Sequence, residues 1–162
     1  MSIEYIKVGM ADLKVASAPM VLTTLGLGSC VGIALYDPIK KLGGLAHIML
    51  PDSSQIKNNQ NLAKFADTGF KELLEKMEKE GANRHRLVAK IAGGAQMFNF
   101  PNTDDSMRIG VRNTLAVKGL LENYKIPLIA EETGENYGRT IELHTETGRL
   151  VVKTIGHGIK EV

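Results

Sequence analysis

The sequence lacks a second cysteine, a charge excess of either sign and any long apolar run, and each absence excludes a class of function. A lone thiol closes no internal disulfide, which suits a reducing compartment. It also leaves a zinc site short of thiolate ligands, and the four histidines, at positions 47, 85, 144 and 157, show no paired ligand spacing, so no metal or other cofactor is expected. The 20 basic residues are dispersed among 18 acidic ones for a net charge of +2, which does not indicate nucleic-acid binding. No stretch reaches the length of a membrane span, so no membrane insertion is expected. The start, Met1-Ser2-Ile3-Glu4-Tyr5, has neither the basic flank nor the apolar core of a signal peptide, and a cytoplasmic protein is expected. No internal repeat or low-complexity tract interrupts a chain that is 43% apolar, and 162 residues suit a single domain spanning 1–162.

What the chain does have is glycine gathered around its one cysteine, in Thr23-Thr24-Leu25-Gly26-Leu27-Gly28-Ser29-Cys30-Val31-Gly32. Such a run costs backbone entropy and adds no packing, so it marks a turn or a close approach of backbone to ligand. It can also aim several amide N–H groups at one point, as an acyl-transfer nucleophile requires for the oxyanion formed on attack. Backbone amides around Gly28, Ser29 and Cys30 are the candidates for that role.

A thiol nucleophile needs a base. Residues 31–36 read as a buried strand, Asp37-Pro38-Ile39-Lys40 as a type I turn, and 42–50 as a returning strand. A hairpin centred on the bond between Pro38 and Ile39 places His47 directly across from Cys30, on the same face and within reach. A bulge at Gly43-Gly44 would instead turn His47 away. His157, between two glycines, is the reserve base, whereas His85 and His144 sit in polar surroundings.

Known motifs fit poorly. Gly28-Ser29-Cys30-Val31-Gly32 has nucleophile-elbow spacing but no following helix. A dinucleotide fingerprint would need a small residue at Val31, and no phosphate-loop lysine follows the glycines.

In chain order, strands are expected at 3–8, 11–16 and 19–24 ahead of the glycine loop, and a mobile polar loop at 51–61 after the hairpin. Apolar residues at helical spacing predict a helix over 62–79, its stripe packed on a sheet. A strand at 86–92 runs into Gly93-Gly94-Ala95, which are candidates to line the cleft beside Cys30. A second helix, capped by Asp105 or Ser106, ends near Lys125. Strands at 127–132, 139–144 and 149–155 follow, the last two joined by the turn Thr145-Glu146-Thr147-Gly148. Many strands with two inserted helices predict an α+β domain, a mixed sheet or sandwich with helices on one side.

The segments Thr24-Leu25-Gly26-Leu27-Gly28-Ser29-Cys30, Leu35-Tyr36-Asp37-Pro38 and Gly43-Gly44-Leu45-Ala46-His47-Ile48-Met49-Leu50-Pro51 resemble the signature of the chemoreceptor glutamine deamidases, the CheD family. The resemblance extends through Lys90-Ile91-Ala92-Gly93-Gly94-Ala95-Gln96-Met97-Phe98, Ile109-Gly110-Val111-Arg112-Asn113 and Gly138-Arg139-Thr140. It implies a β-sandwich with helices on one side, similar to deamidating bacterial toxins, with Cys30 as nucleophile, His47 as base and Thr24 as the third catalytic residue. The implied substrate is glutamine on the cytoplasmic helices of chemoreceptors, and the implied partner a CheC-type phosphatase. A binding adaptor for that phosphatase, with little catalysis of its own, is the alternative. One departure from the family pattern is Glu135, where a glycine is expected.

Overall fold

The computed structural model describes residues 3–97 and 108–162, which fold as two stacked mixed sheets with two helices on the outer side of one of them. The first sheet runs in the order β1 (Tyr5–Lys7), β3 (Val21–Leu27), β8 (Arg139–His144), β9 (Arg149–Thr154), β10 (Gly158–Glu161). The second runs β2 (Leu13–Ser17), β5 (Leu42–Ile48), β4 (Val31–Asp37), β6 (Val88–Gly93), β7 (Leu128–Thr133). Helices α1 (Ala66–Lys79) and α2 (Ile109–Asn123) cover the second sheet. The expected α+β sandwich, helices on one side, is what forms.

Two apolar layers result. β4 and β5 are buried on both faces, which is why they read as near-continuous apolar and glycine runs. Val31, Ile33, Leu35, Ala46 and Ile48 point towards the helices and meet Phe70, Leu73, Leu74 and Met77 of α1 and Val117 and Leu121 of α2. Each such large side chain removed from water contributes roughly 1.5–3 kcal/mol. The opposite faces, Ala34 and Leu45, meet Leu22, Leu27, Ile141 and Leu143 between the sheets, and Cys30 packs at the border of this cluster.

Strand boundaries depart from sequence expectation in ways that matter for the site. β3 continues to Leu27, so most of the expected glycine loop is strand, distorted by a bulge between Thr24 and Leu27 where Gly26 takes φ +70°. The segment 51–61 is pinned as well as exposed: the amide and hydroxyl of Ser53 donate to Asp67, and Arg112 donates to Gln55. The helical pattern from 62 splits into a 3-10 turn, Leu62–Lys64, and α1 proper, because the Asn61 side chain caps the turn and Phe65 is extended. The expected helix cap at Asp105 or Ser106 lies outside the described residues, and α2 begins after Arg108. β10, an edge strand, has too few alternating residues to announce itself in the sequence.

Candidate active site

The β4–β5 hairpin is regular, with no bulge at Gly43-Gly44, but its register differs from the expected one. Asp37 accepts hydrogen bonds from the amides of Ile39 and Lys40, and Lys41 takes φ +49°. The turn therefore occupies residues 38–41 and its centre moves one residue along the chain, so that Gly32, not Cys30, lies directly across from His47. A shift of two preserves the face. Cys30 is the diagonal neighbour of His47, a relation that spans roughly 7–8 Å between backbones and leaves long side chains in reach.

Gly32 is required by the packing between the two sheets. A Cβ at this position would lie 2.7 Å from Ile141 Cδ1 and 3.1 Å from Leu27 Cδ1, so the sandwich closes only over a glycine. Opposite it, His47 is fully buried, its main chain bonded to Ala11 and Asp12 on one side and ladder-paired with β4 on the other.

Across the sandwich, Thr24 of β3 faces His47, and its hydroxyl lies 2.7 Å from His47 Nδ1. The same hydroxyl donates its single proton to the Val8 carbonyl at 2.7 Å. With that proton committed, Oγ1 can only accept, so Nδ1 carries the hydrogen and Nε2 keeps a lone pair. Nε2 is buried and without a hydrogen-bond partner among the described residues. Burial lowers the imidazole's proton affinity from its ordinary value and raises that of the half-buried Cys30 thiol, the latter partly offset by the cysteine's own backbone amide. The resting pair is consequently a neutral thiol beside a neutral imidazole.

The cysteine turn is held by its carbonyls. Gly28 O accepts from the Ala95 amide at 2.8 Å, Cys30 O from the Gly94 amide at 2.8 Å, and Ser29 O from Asn113 Nδ2 at 3.0 Å. Gly93, at φ +108°, would place a Cβ 2.2 Å from Cys30 O, so close approach of these two segments requires glycine. Gly93, Gly94 and Ala95, expected to line the cleft, are packed against the cysteine turn. All three are buried, and Gly94 borders a surface depression of about 580 Å³ with Gln96, Arg108, Val111 and Glu135. The Gly28 amide donates to Gly26 O at 3.0 Å and is not free for an oxyanion, whereas those of Ser29 and Cys30 have no acceptor elsewhere in the described chain. Gly28 is glycine for another reason: the Met97 side chain lies 3.1 Å from where its Cβ would be.

Glu135 adopts φ +61°, the left-handed conformation that a glycine would take without strain, and its carbonyl accepts from the Gln96 amide. Two further residues lie in segments that carry the family resemblance but receive no role from the sequence. Asn113 is wholly buried and Arg139 nearly so, its guanidinium donating to Gly134 O at 2.9 Å and stacking 4.7 Å from the Tyr137 ring. Asn113 is detectable as a polar residue on the stripe Gly110, Val117, Leu121, but Arg139 carries no such mark. His157 is exposed and stacks on Tyr137 at 4.0 Å, and His144 bonds Glu142 on the outer sheet face, so neither is placed as His47 is. No group of three or more potential metal ligands clusters among the described residues, and no helix there is long and apolar enough to cross a membrane.

Residues 49–154 match the family model described as CheD chemotactic sensory transduction. Full-length likeness extends the match: a protein of Caldanaerobacter subterraneus subsp. tengcongensis, named probable chemoreceptor glutamine deamidase CheD, is 59% identical over 100% of both chains. The chain belongs to the CheD family. A Syntrophomonas wolfei protein with the same name is 61% identical over 94% of this chain and 95% of its own. The chemoreceptor glutamine deamidase CheD of Halalkalibacterium halodurans is 53% identical over 98% and 99%. Among solved structures, the Bacillus licheniformis hypothetical protein YfiH superposes with a TM-score of 0.47 at 19% identity, covering 75% of this chain and 50% of that one. The family-model match begins just past His47, so the full-length relatives, not the model, span the part of the chain that holds Thr24, Cys30 and His47.

Proposed function

We propose that this protein is a glutamine deamidase acting on side-chain amides of chemoreceptor helices, with Cys30 as nucleophile, His47 as general base and Thr24 as the residue that fixes the imidazole. The observation that carries this reading is the Thr24 hydroxyl, which donates to Val8 O and thereby leaves His47 Nε2 unprotonated on the face it shares with Cys30.

Because thiol and imidazole are both neutral at rest, His47 acts by removing the proton as attack occurs. Nε2 takes the Cys30 proton, the sulfur adds to the glutamine amide carbon, and the amides of Ser29 and Cys30 receive the oxyanion. His47 returns the proton to the departing nitrogen, ammonia leaves, and a thioester remains. Water, deprotonated by the same Nε2, then adds to the thioester, and collapse releases glutamate and the thiol. Amide and water are consumed, carboxylate and ammonium produced, and the protein side needs no cofactor.

Exposed Leu25 and Met97 flank the cysteine turn, an apolar skirt suited to one face of a helix. A CheC-type phosphatase occupying that skirt would inhibit without touching the chemistry. An adaptor without catalysis has no use for an oriented imidazole, so the enzyme reading is preferred.

The test is incubation with a receptor cytoplasmic fragment followed by mass spectrometry, since each deamidation adds about one mass unit. Wild type is expected to convert receptor glutamines while folded Cys30→Ala does not. Residual activity near wild type in the variant would remove Cys30 as nucleophile.

A further inference from the structure

Asn113 is the least explained polar residue near the turn. It is fully buried on α2, its Nδ2 donates to Ser29 O at 3.0 Å and to Met49 O at 3.0 Å, and its Oδ1 has no partner among the described residues. Two carbonyls facing one side chain require the NH2 group between them, so the orphaned Oδ1 is a consequence of this placement. A buried acceptor left unsatisfied opposes stability, which makes simple packing a poor account of the residue.

The two carbonyls are not arbitrary. Met49 lies two residues beyond His47, and Ser29 O belongs to the peptide whose N–H is that of Cys30. In a trans peptide the carbonyl and the following amide point in opposite directions, and both peptides entering Cys30 are trans. Pulling Ser29 O inward against α2 therefore turns the Cys30 N–H outward. The Ala95 amide does the same to Gly28 O, and so aims the Ser29 N–H.

Helix α2 comes close enough for this only because of Gly110, one turn earlier on the same face, where a Cβ would lie 2.4 Å from Ala95 O. We infer that Asn113 is a positioning residue of the deamidation reaction: it sets the direction of the Cys30 amide as an oxyanion donor and ties that peptide to the strand carrying His47. This rests on Cys30 being the nucleophile.

The test separates oxyanion chemistry from thiol chemistry. Alkylation of Cys30 by iodoacetamide needs a deprotonated thiol but forms no oxyanion, whereas deamidation needs both. Asn113→Asp keeps the shape and removes the NH2 group, and Asn113→Leu removes all polarity at similar size. For each, kcat is expected to fall on the order of 10²-fold, as for loss of one oxyanion donor, with KM and the alkylation rate held within about threefold. Unchanged kcat, or alkylation falling in parallel with kcat, would overturn the inference.

Should neither variant fold, wild type decides. A receptor peptide whose target glutamine bears an aldehyde in place of the side-chain amide adds Cys30 Sγ to that carbonyl carbon, the thiol proton passing to the oxygen, and the Ser29 and Cys30 amide protons are expected to shift downfield on its binding. Immobile resonances on adduct formation would refute the assignment. Persistent deamidation by Cys30→Ala, in contrast, would refute the nucleophile itself, so the two failures are distinguishable.

Discussion

Replacing Thr24 by valine preserves shape and removes one oxygen, and that oxygen serves two buried groups. In Thr24→Val the Val8 carbonyl loses its donor and His47 Nδ1–H its acceptor, both formerly at 2.7 Å. Each buried group left unpaired costs about 1–3 kcal/mol, or about 2–6 kcal/mol together. At about 2–4 °C per kcal/mol for a chain of this size, Tm should drop by roughly 4–24 °C. Activity should suffer separately. The imidazole no longer has a reason to keep its hydrogen on Nδ1, and the Nε2–H tautomer cannot accept the thiol proton. A fall in kcat of about 10²-fold is expected, less than for a lost carboxylate partner because the hydroxyl carries no charge. Thr24→Ser restores the oxygen and should bring kcat to within about tenfold of wild type, although a lost methyl still costs about 1 kcal/mol. Steady-state deamidation of a receptor fragment, with thermal denaturation of the same samples, reads both effects. A valine variant with wild-type kcat, or a serine variant no better than valine, refutes the tautomer reasoning.

Two further outcomes follow from buried charge. Since burial raises the Cys30 thiol and lowers the His47 imidazolium, iodoacetamide alkylation should climb with pH to a midpoint above the ordinary thiol value. A rate plateau across about pH 5–7 would reveal a preformed thiolate–imidazolium pair instead. Burial also opposes ionisation of Asp37, but the Arg86 guanidinium and the amides of Asn83, Lys40 and Ile39 outweigh it and lower the carboxyl from 3.8 to about 2. Stability from this group is complete above the unfolded value and is lost as pH falls through the folded one. Between about pH 4 and pH 2 wild type should lose about 1–2 kcal/mol in urea titrations, less than the full shift implies because Arg86 is partly solvated. Asp37→Asn should lose about 1–2 kcal/mol less than wild type across that interval, since Glu131 and Glu142 still titrate in both, and an unchanged slope would separate Arg86–Asp37 from acid unfolding.

The fold class was legible because β4 and β5 are near-continuous apolar and glycine runs and α1 has a clean stripe, both local signals. The hairpin register was not, since it depends on Asp37 capturing the amides of Ile39 and Lys40 and on Lys41 accepting a left-handed conformation, neither of which composition announces. The error of two residues was harmless to the face and harmful to the contact: it misassigned the direct partner of His47 while leaving Cys30 beside it. Gly93, Gly94 and Ala95 were recognised as neighbours of Cys30, but their burial arises from α2 approaching over Gly110, a tertiary event invisible along the chain. Asn113 and Arg139 act through backbone carbonyls of distant segments, and nothing in local spacing reveals which carbonyls those are.

The choice of threonine opposite His47 makes physical sense in a site built between two sheets. A carboxylate at Thr24 would sit fully buried among Leu22, Leu27 and Ile141, an expensive charge unless paired, and its natural partner there is a protonated imidazole. The pair would hold His47 as imidazolium at neutral pH and remove the very lone pair that the thiol proton needs. A hydroxyl avoids this. Anchored on Val8 O, it orients the ring and selects the tautomer while leaving burial free to lower the imidazole's proton affinity, which favours the neutral ring that the proposed mechanism needs. On the proposed mechanism the weaker partner is thus matched to the neutral thiol that the same burial favours at Cys30, and the proton moves only when substrate attack makes the transfer worthwhile.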